Sequence, residues 1–166
     1  MKAKDLMIPI QKCLKPDNTL KEAVNLLQVV RHNEEWQGVK GLPVLDPAGK
    51  IVGILSMRDI LKAVHPFYLS MMDLGDFTWD SMVKSLAQEA ACKKVKDHMT
   101  SEVVTVRENE PLMECIDLMI KKNIKLLPVM DDRGQVEGMI CEQDVFCAIT
   151  GAMLDTDSCV ETGGKR

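Results

Sequence analysis

Apolar residues recur along this chain with helical and strand periods, and the same order of periods occurs twice. Leu20, Ala23, Leu26 and Leu27 fall on one face at helical spacing, and Leu112, Cys115, Leu118 and Met119 repeat the stripe 92 positions later. Thr19-Leu-Lys-Glu22 has the form of a capping box, which predicts a helix from there to about Arg31. In the second copy Pro111 is expected at the first helical position, where its missing N–H costs nothing, with Asn109 or Glu110 before it. Residues 42–45 and 127–130 are short apolar runs. Each leads into a turn, Asp46-Pro-Ala-Gly49 or Asp131-Asp-Arg-Gly134, and then into a second run at 50–55 or 135–140. Two hairpins are therefore predicted, each followed by a helix, near 57–64 and 142–150.

The copies match residue by residue. AKDLM at 3–7 aligns with VKDHM at 95–99 at an offset of 92, whereas GLPVLDPAGKIVGILSMRDIL at 41–61 aligns with LLPVMDDRGQVEGMICEQDVF at 126–146 at an offset of 85. The difference lies in RHNEEWQGVKG, an insertion ahead of the first hairpin. Each copy reads strand, helix, strand, strand, helix, which predicts an α+β architecture. One such unit buries little surface, so the two are expected to pack into one domain. The expected divisions are a first motif at 1–65, a helical connector at 66–92, a second motif at 93–150 and a polar tail at 151–166. In the connector, Thr78 is placed to cap a helix with Trp79, Met82, Val83 and Leu86 on one face. The preceding PFYLSMMDLGDF gathers most of the few aromatics, either as a further helix on the core or as an exposed face for self-association.

Composition narrows the function classes. Of 166 residues, 46% are hydrophobic and 28% charged, enough for a packed interior. The formal net charge of −4 gives no global electrostatic case for nucleic acid or an anionic membrane. No apolar run reaches the roughly 18 residues of a membrane span, and MKAKDLMIPI does not read as a signal peptide. A soluble, cytoplasmic protein is expected. Six cysteines show no CxxC pair, and none of the three histidines pairs with a cysteine at ligand spacing. Neither a zinc site nor a disulfide framework is therefore expected, and Cys115 and Cys147 read as small core residues. No Ser/His/Asp order, P-loop or glycine-rich dinucleotide loop is present, so catalysis is not expected.

The chemistry concentrates where the hairpins end. In Gly53-Ile-Leu-Ser56-Met-Arg-Asp59 a strand passes into a helix, and the Ser56 hydroxyl with the first free amides forms an anion-binding corner. Asp59, three residues on, brings a carboxylate to the same corner, where its two oxygens could take a charge-assisted bidentate contact. The same Ser-x-x-Asp spacing is also a variant capping box, and the two roles are compatible.

Two copies of Asp-x-Met, helix, Leu-Pro-Val-x-Asp and then Gly-Ile-x-Ser-x-x-Asp resemble a tandem cystathionine-β-synthase (CBS) domain pair, or Bateman module, over residues 1–150. The resemblance implies two βαββα motifs packed by pseudo-twofold symmetry, and pairs that often dimerise as flat discs. It implies a regulatory module that binds adenosine-containing ligands (AMP, ADP, ATP or S-adenosylmethionine) between the motifs and acts on an unidentified partner protein. The alternative is a dimerisation module with vestigial clefts. On the first reading the adenine nucleotide or S-adenosylmethionine is a regulatory ligand, and on neither is a cofactor required. The resemblance makes Asp59 the ribose-binding position. It completes the cleft of Ser56, Arg58 and Asp59 with Thr100, Val104, Ile124 and Lys125, where Arg58 and Lys125 either face phosphates or are solvated surface charges. A second cleft would use Asp144 with Ile8, Val39 and Lys40. There Cys141 replaces the hydroxyl and Glu142 adds negative charge, so weaker binding is expected.

Overall fold

A computed structural model describes residues 1–27, 40–65, 67–71 and 79–154. The elements are α1 (Ala3–Leu6), β1 (Ile8–Pro9), α2 (Leu20–Leu27), β2 (Gly41–Leu45), β3 (Ile51–Ser56), α3 (Met57–Val64), α4 (Trp79–Ala91), β4 (Val106–Arg107), α5 (Leu112–Lys122), β5 (Leu126–Met130), β6 (Val136–Cys141) and α6 (Glu142–Leu154). The α+β expectation holds. The second copy runs β4-α5-β5-β6-α6, the predicted strand, helix, strand, strand, helix. In the first copy the opening strand shrinks to a single parallel bridge between Leu14 and Val44, the counterpart of Val106 beside Val129.

Local chemistry explains the boundaries. The Glu22 carboxylate accepts the Thr19 N–H at 2.7 Å and Thr19 Oγ1 accepts the Glu22 N–H at 3.2 Å, the reciprocal cap that starts α2. Asp46 Oδ1 accepts from the amides of Ala48 and Lys50, and Asp131 Oδ1 from those of Arg133 and Gln135. The turns close through Gly49 and Gly134 at φ +82° and +77°, a conformation open to glycine. Pro111 is not the first helical residue. It sits one place earlier, at φ −59° and ψ 139°, and α5 begins at Leu112.

Each motif has its own core, and each borrows the opening segment of the other. Leu14, Leu20, Ala23, Leu42, Val44 and Leu55 pack with Val95 and Met99, which belong by sequence to the second copy. Val106, Leu112, Cys115, Leu127, Val129 and Ile140 pack with Ala3, Leu6 and Met7 from the first. The backbone follows the same exchange. Ala3 N donates to Glu110 O at 2.9 Å and Lys4 N to Glu108 O at 2.9 Å, while Val95 N donates to Asn18 O at 2.8 Å and Lys96 N to Pro16 O at 3.0 Å. β1 adds to the second motif's sheet, in the order β1-β6-β5-β4, and Thr100 bridges β3 of the first. These pairs are related by the offset of 92, so the exchange itself obeys the pseudo-twofold. Gly41 and its counterpart Leu126 meet where the motifs join; a Cβ on Gly41 would overlap Leu126 Cδ1.

α4 packs on α3 and α2 with Ala90 in the core and Met82 and Leu86 half-buried, a stripe that steps by four residues; Val83 is 62% exposed and does not belong to it. Phe67–Met71 form a 3₁₀ turn that buries Leu69 and exposes Phe67, Tyr68 and Met71. Thr78 and residues 72–77 lie outside the described residues, as do 28–39 and the tail beyond Leu154.

Of the two cysteines expected in the core, Cys115 is buried and Cys147 is exposed, because α6 turns Val145 inward and Cys147 lies two residues on. Burial pushes the Cys115 thiol up from its ordinary pKa, which suppresses the reactive thiolate. Brief iodoacetamide treatment of the native protein should therefore alkylate Cys13, Cys92 and Cys147 and spare Cys115. Mass spectrometry checks this; labelling of Cys115 at the rate of Cys147 would contradict the packing.

Candidate functional site

Where β3 passes into α3, Ser56 and Asp59 form a complete capping box. Asp59 Oδ2 accepts from the Ser56 amide at 2.8 Å and from its hydroxyl at 2.7 Å, and Ser56 Oγ accepts the Asp59 N–H at 3.3 Å. Asp59 is 6% exposed, the one buried charged side chain among the described residues. Such burial is tolerable because the carboxylate is hydrogen-bonded. Oδ2 accepts both of the cap's bonds from Ser56, and Oδ1 takes no part in the cap.

The other motif approaches this corner along two routes. Thr100 exchanges both backbone hydrogen bonds with Ile54 at 2.9 Å, two residues before Ser56. Gly41 faces Ser56 across β2 and β3, and Leu126 packs into the space left by its missing side chain. Thr100 is thus held on Ile54 and Leu126 is brought beside Gly41 and Ser56, while Val104 and Ile124 pack against the second core. Lys125 turns its ammonium to Glu142, with Nζ 3.5 Å from Oε2. Arg58 is exposed in the first turn of α3.

The corner at β6 and α6 is the pseudo-symmetric counterpart, with different chemistry. Ile8 pairs with Met139 as Thr100 does with Ile54. Lys40 donates to Gln143 Oε1, across the motif boundary. Cys141 stands where Ser56 stands, and Asp144 Oδ2 is buried without a hydrogen-bond partner. A thiol is a weak donor and does not replace the hydroxyl bond that Ser56 gives Asp59. Val39 lies outside the described residues. A separate cavity of about 530 Å³, lined by Thr105, Arg107, Glu110 and Arg133 among others, opens at the turn end of the second motif and includes none of the predicted site residues.

The Lys125–Glu142 and Lys40–Gln143 contacts were not legible in the sequence. The offset of 85 pairs Lys40 with Lys125 and Arg58 with Gln143, yet it does not say which way each lysine turns.

The CBS domain family matches residues 3–66 and 95–151, the two motifs and their exchanged segments. The chain belongs to the CBS domain family. It is 31% identical over 145 residues to an inosine-5'-monophosphate dehydrogenase of Methanocaldococcus jannaschii, an alignment covering 87% of this CBS chain but 23% of that enzyme. The CBS pair thus spans under a quarter of the length of that relative. Among solved structures it is similar to CBSX2 of Arabidopsis thaliana in complex with AMP, with a TM-score of 0.62 and 25% identity over 92% of this chain and 98% of that one. It is also similar to the CBS domain pair of protein MJ0100 in complex with 5′-methylthioadenosine and S-adenosyl-L-methionine, with a TM-score of 0.62 and 27% identity over 92% of this chain and 98% of that one. Among the described residues no helix is long and apolar enough to cross a membrane.

Proposed function

We propose that this CBS pair is a ligand-sensing regulatory module that binds an adenosine-containing ligand at the Ser56/Asp59 corner and acts on a partner protein in the cytoplasm. The observation that carries the reading is Asp59 itself. It is a buried carboxylate, locked by Ser56 beside a backbone bridge from the opposite motif, with one oxygen uncommitted to the cap. The likeness to pairs solved with AMP and with S-adenosylmethionine supports the ligand class. Arg58 and Lys125 supply the positive charge that a 5′-phosphate requires, and the corner lies at the positive end of the α3 dipole, although the Met57 and Asp59 amides are already donated to Lys40 O and Ser56 Oγ. The second corner binds more weakly, because Cys141 donates poorly and Glu142 opposes a phosphate. The chain carries out no chemistry on the ligand. A thermal-shift screen with AMP, ADP, ATP and S-adenosylmethionine tests the reading: a rise in Tm with at least one is expected, and none with any would favour vestigial clefts.

One observation favours a second reading. The unpartnered Asp144 Oδ2 is a ribose acceptor without a competing cap, so the second cleft would take the nucleoside and the first would be structural. Aspartate substitutions separate the two readings.

The working unit is proposed to be a homodimer. Leu61 on α3 and Phe146 on α6 occupy equivalent positions, 85 residues apart, and are 68% and 63% exposed. Two apolar side chains related by the internal symmetry suit a symmetric, self-complementary contact. Light scattering should give twice the 18.6 kDa chain mass, and the monomer mass at micromolar concentration would contradict this.

A further inference from the structure

Lys125 stands at the junction of the two clefts, and the internal symmetry reveals a second place for it to go. Its Nζ lies 3.5 Å from Glu142 Oε2, with both side chains more than half exposed. Its carbonyl accepts the Glu142 N–H at 2.9 Å. Lys40, its counterpart, likewise accepts the Met57 N–H at 3.1 Å. Met57, however, offers no carboxylate, and the Lys40 ammonium crosses instead to Gln143, in the first turn of the opposite motif's helix. The counterpart of Gln143 is Arg58. A lysine in this position therefore reaches from its own hairpin to the start of the opposite helix. For Lys125 that start is the Ser56, Arg58 and Asp59 corner. Without an anion between them, Arg58 repels Lys125 there, and Glu142 attracts it on its own side.

We propose that Glu142 is a specificity-determining residue of the first cleft: it occupies Lys125 as an internal stand-in for phosphate and so reduces the advantage of phosphate-bearing ligands over neutral adenosyl ligands. The inference rests on the reading of the first cleft as the adenosine site. A phosphate that enters must displace the carboxylate to gain Lys125, and its affinity falls by the strength of that pair. A ligand without phosphate does not use Lys125 and is unaffected. Once displaced, Glu142 is left as an unpaired negative charge at the start of α6, so phosphate in the first cleft alters the electrostatics of the second.

The test is a double-mutant cycle by calorimetry in an Asp144→Asn background, which silences the second cleft that Glu142 also faces, with ATP, AMP and adenosine as probes. Exposed ion pairs are weak, so Glu142→Gln should tighten ATP and AMP by about two- to fivefold. It should leave adenosine unchanged, and in a Lys125→Met background the same substitution should do nothing. Equal tightening of adenosine, tightening that persists with Lys125→Met, or no tightening at all would overturn the inference. Asp59→Asn, measured alongside, keeps that failure distinct. If it abolishes binding of all three probes while the cycle fails, the cleft stands and the role of Glu142 falls; if it leaves ATP binding intact, the cleft assignment itself is wrong.

Discussion

Gly138→Val should lower Tm by roughly 5–10 °C, the loss of about 2–3 kcal/mol expected for an overpacked core in a domain of this size. A Cβ at Gly138 would lie 2.8 Å from Met7 Sδ, 2.9 Å from Met7 Cγ and 3.0 Å from the Ile8 carbonyl oxygen. Met7 can change rotamer, but the Ile8 carbonyl cannot move without disturbing β1 on β6. The added bulk thus acts on the exchanged segment that joins the motifs. Gly53 is its counterpart, and the three atoms nearest a Cβ there all belong to the flexible Met99 side chain. Gly53→Val should therefore cost less. Gly151, in α6 with nothing within 4 Å of an added Cβ, serves as control. Gly151→Ala should leave Tm unchanged or raise it, since alanine is the better helix former by about 1 kcal/mol. Equal melting for the Gly138 variant and wild type would contradict the close approach of β1.

Asp59→Ala should cost both folding and binding, and the two losses can be separated. Removing the capping box is worth about 0.5–2 kcal/mol of stability. Removing the carboxylate from a ribose diol forfeits charge-assisted hydrogen bonds of about 1.5–3 kcal/mol each, at least roughly tenfold in affinity apiece. Asp59→Asn keeps a side-chain oxygen for the cap and loses the charge. It should melt close to wild type yet bind AMP at least tenfold more weakly. A Kd within twofold of wild type in a well-folded Asn variant would remove Asp59 from the ligand.

The motif order, both hairpins, their turns and the Ser56/Asp59 corner were legible in the sequence because each depends on neighbours within a few residues. The spacing of Ser56 and Asp59 allowed a cap or a ribose site; the structure makes it a cap with one carboxylate oxygen to spare. The exchange of opening segments was not legible, because AKDLM and VKDHM are so alike that either could pack on either motif. The choice is made by backbone pairings such as Ala3 with Glu110, which no local pattern encodes. Cys147 and Val83 were misplaced because apolar character alone does not say which face of a helix meets a neighbour. The serine-to-cysteine difference at 141, visible in the sequence, accounts for the hydroxyl that Asp144 Oδ2 lacks but not for the backbone amide it lacks as well. Its consequence required knowing that Ser56 ties Asp59 through both its amide and its hydroxyl.

Calorimetric titration of Asp59→Asn and Asp144→Asn with AMP and ATP tests the central claim most directly. The nucleotide should bind wild type and Asp144→Asn alike, within about twofold, and Asp59→Asn at least tenfold more weakly. Loss of binding in Asp144→Asn with retention in Asp59→Asn would contradict the account and place the adenosyl ligand in the Cys141 cleft.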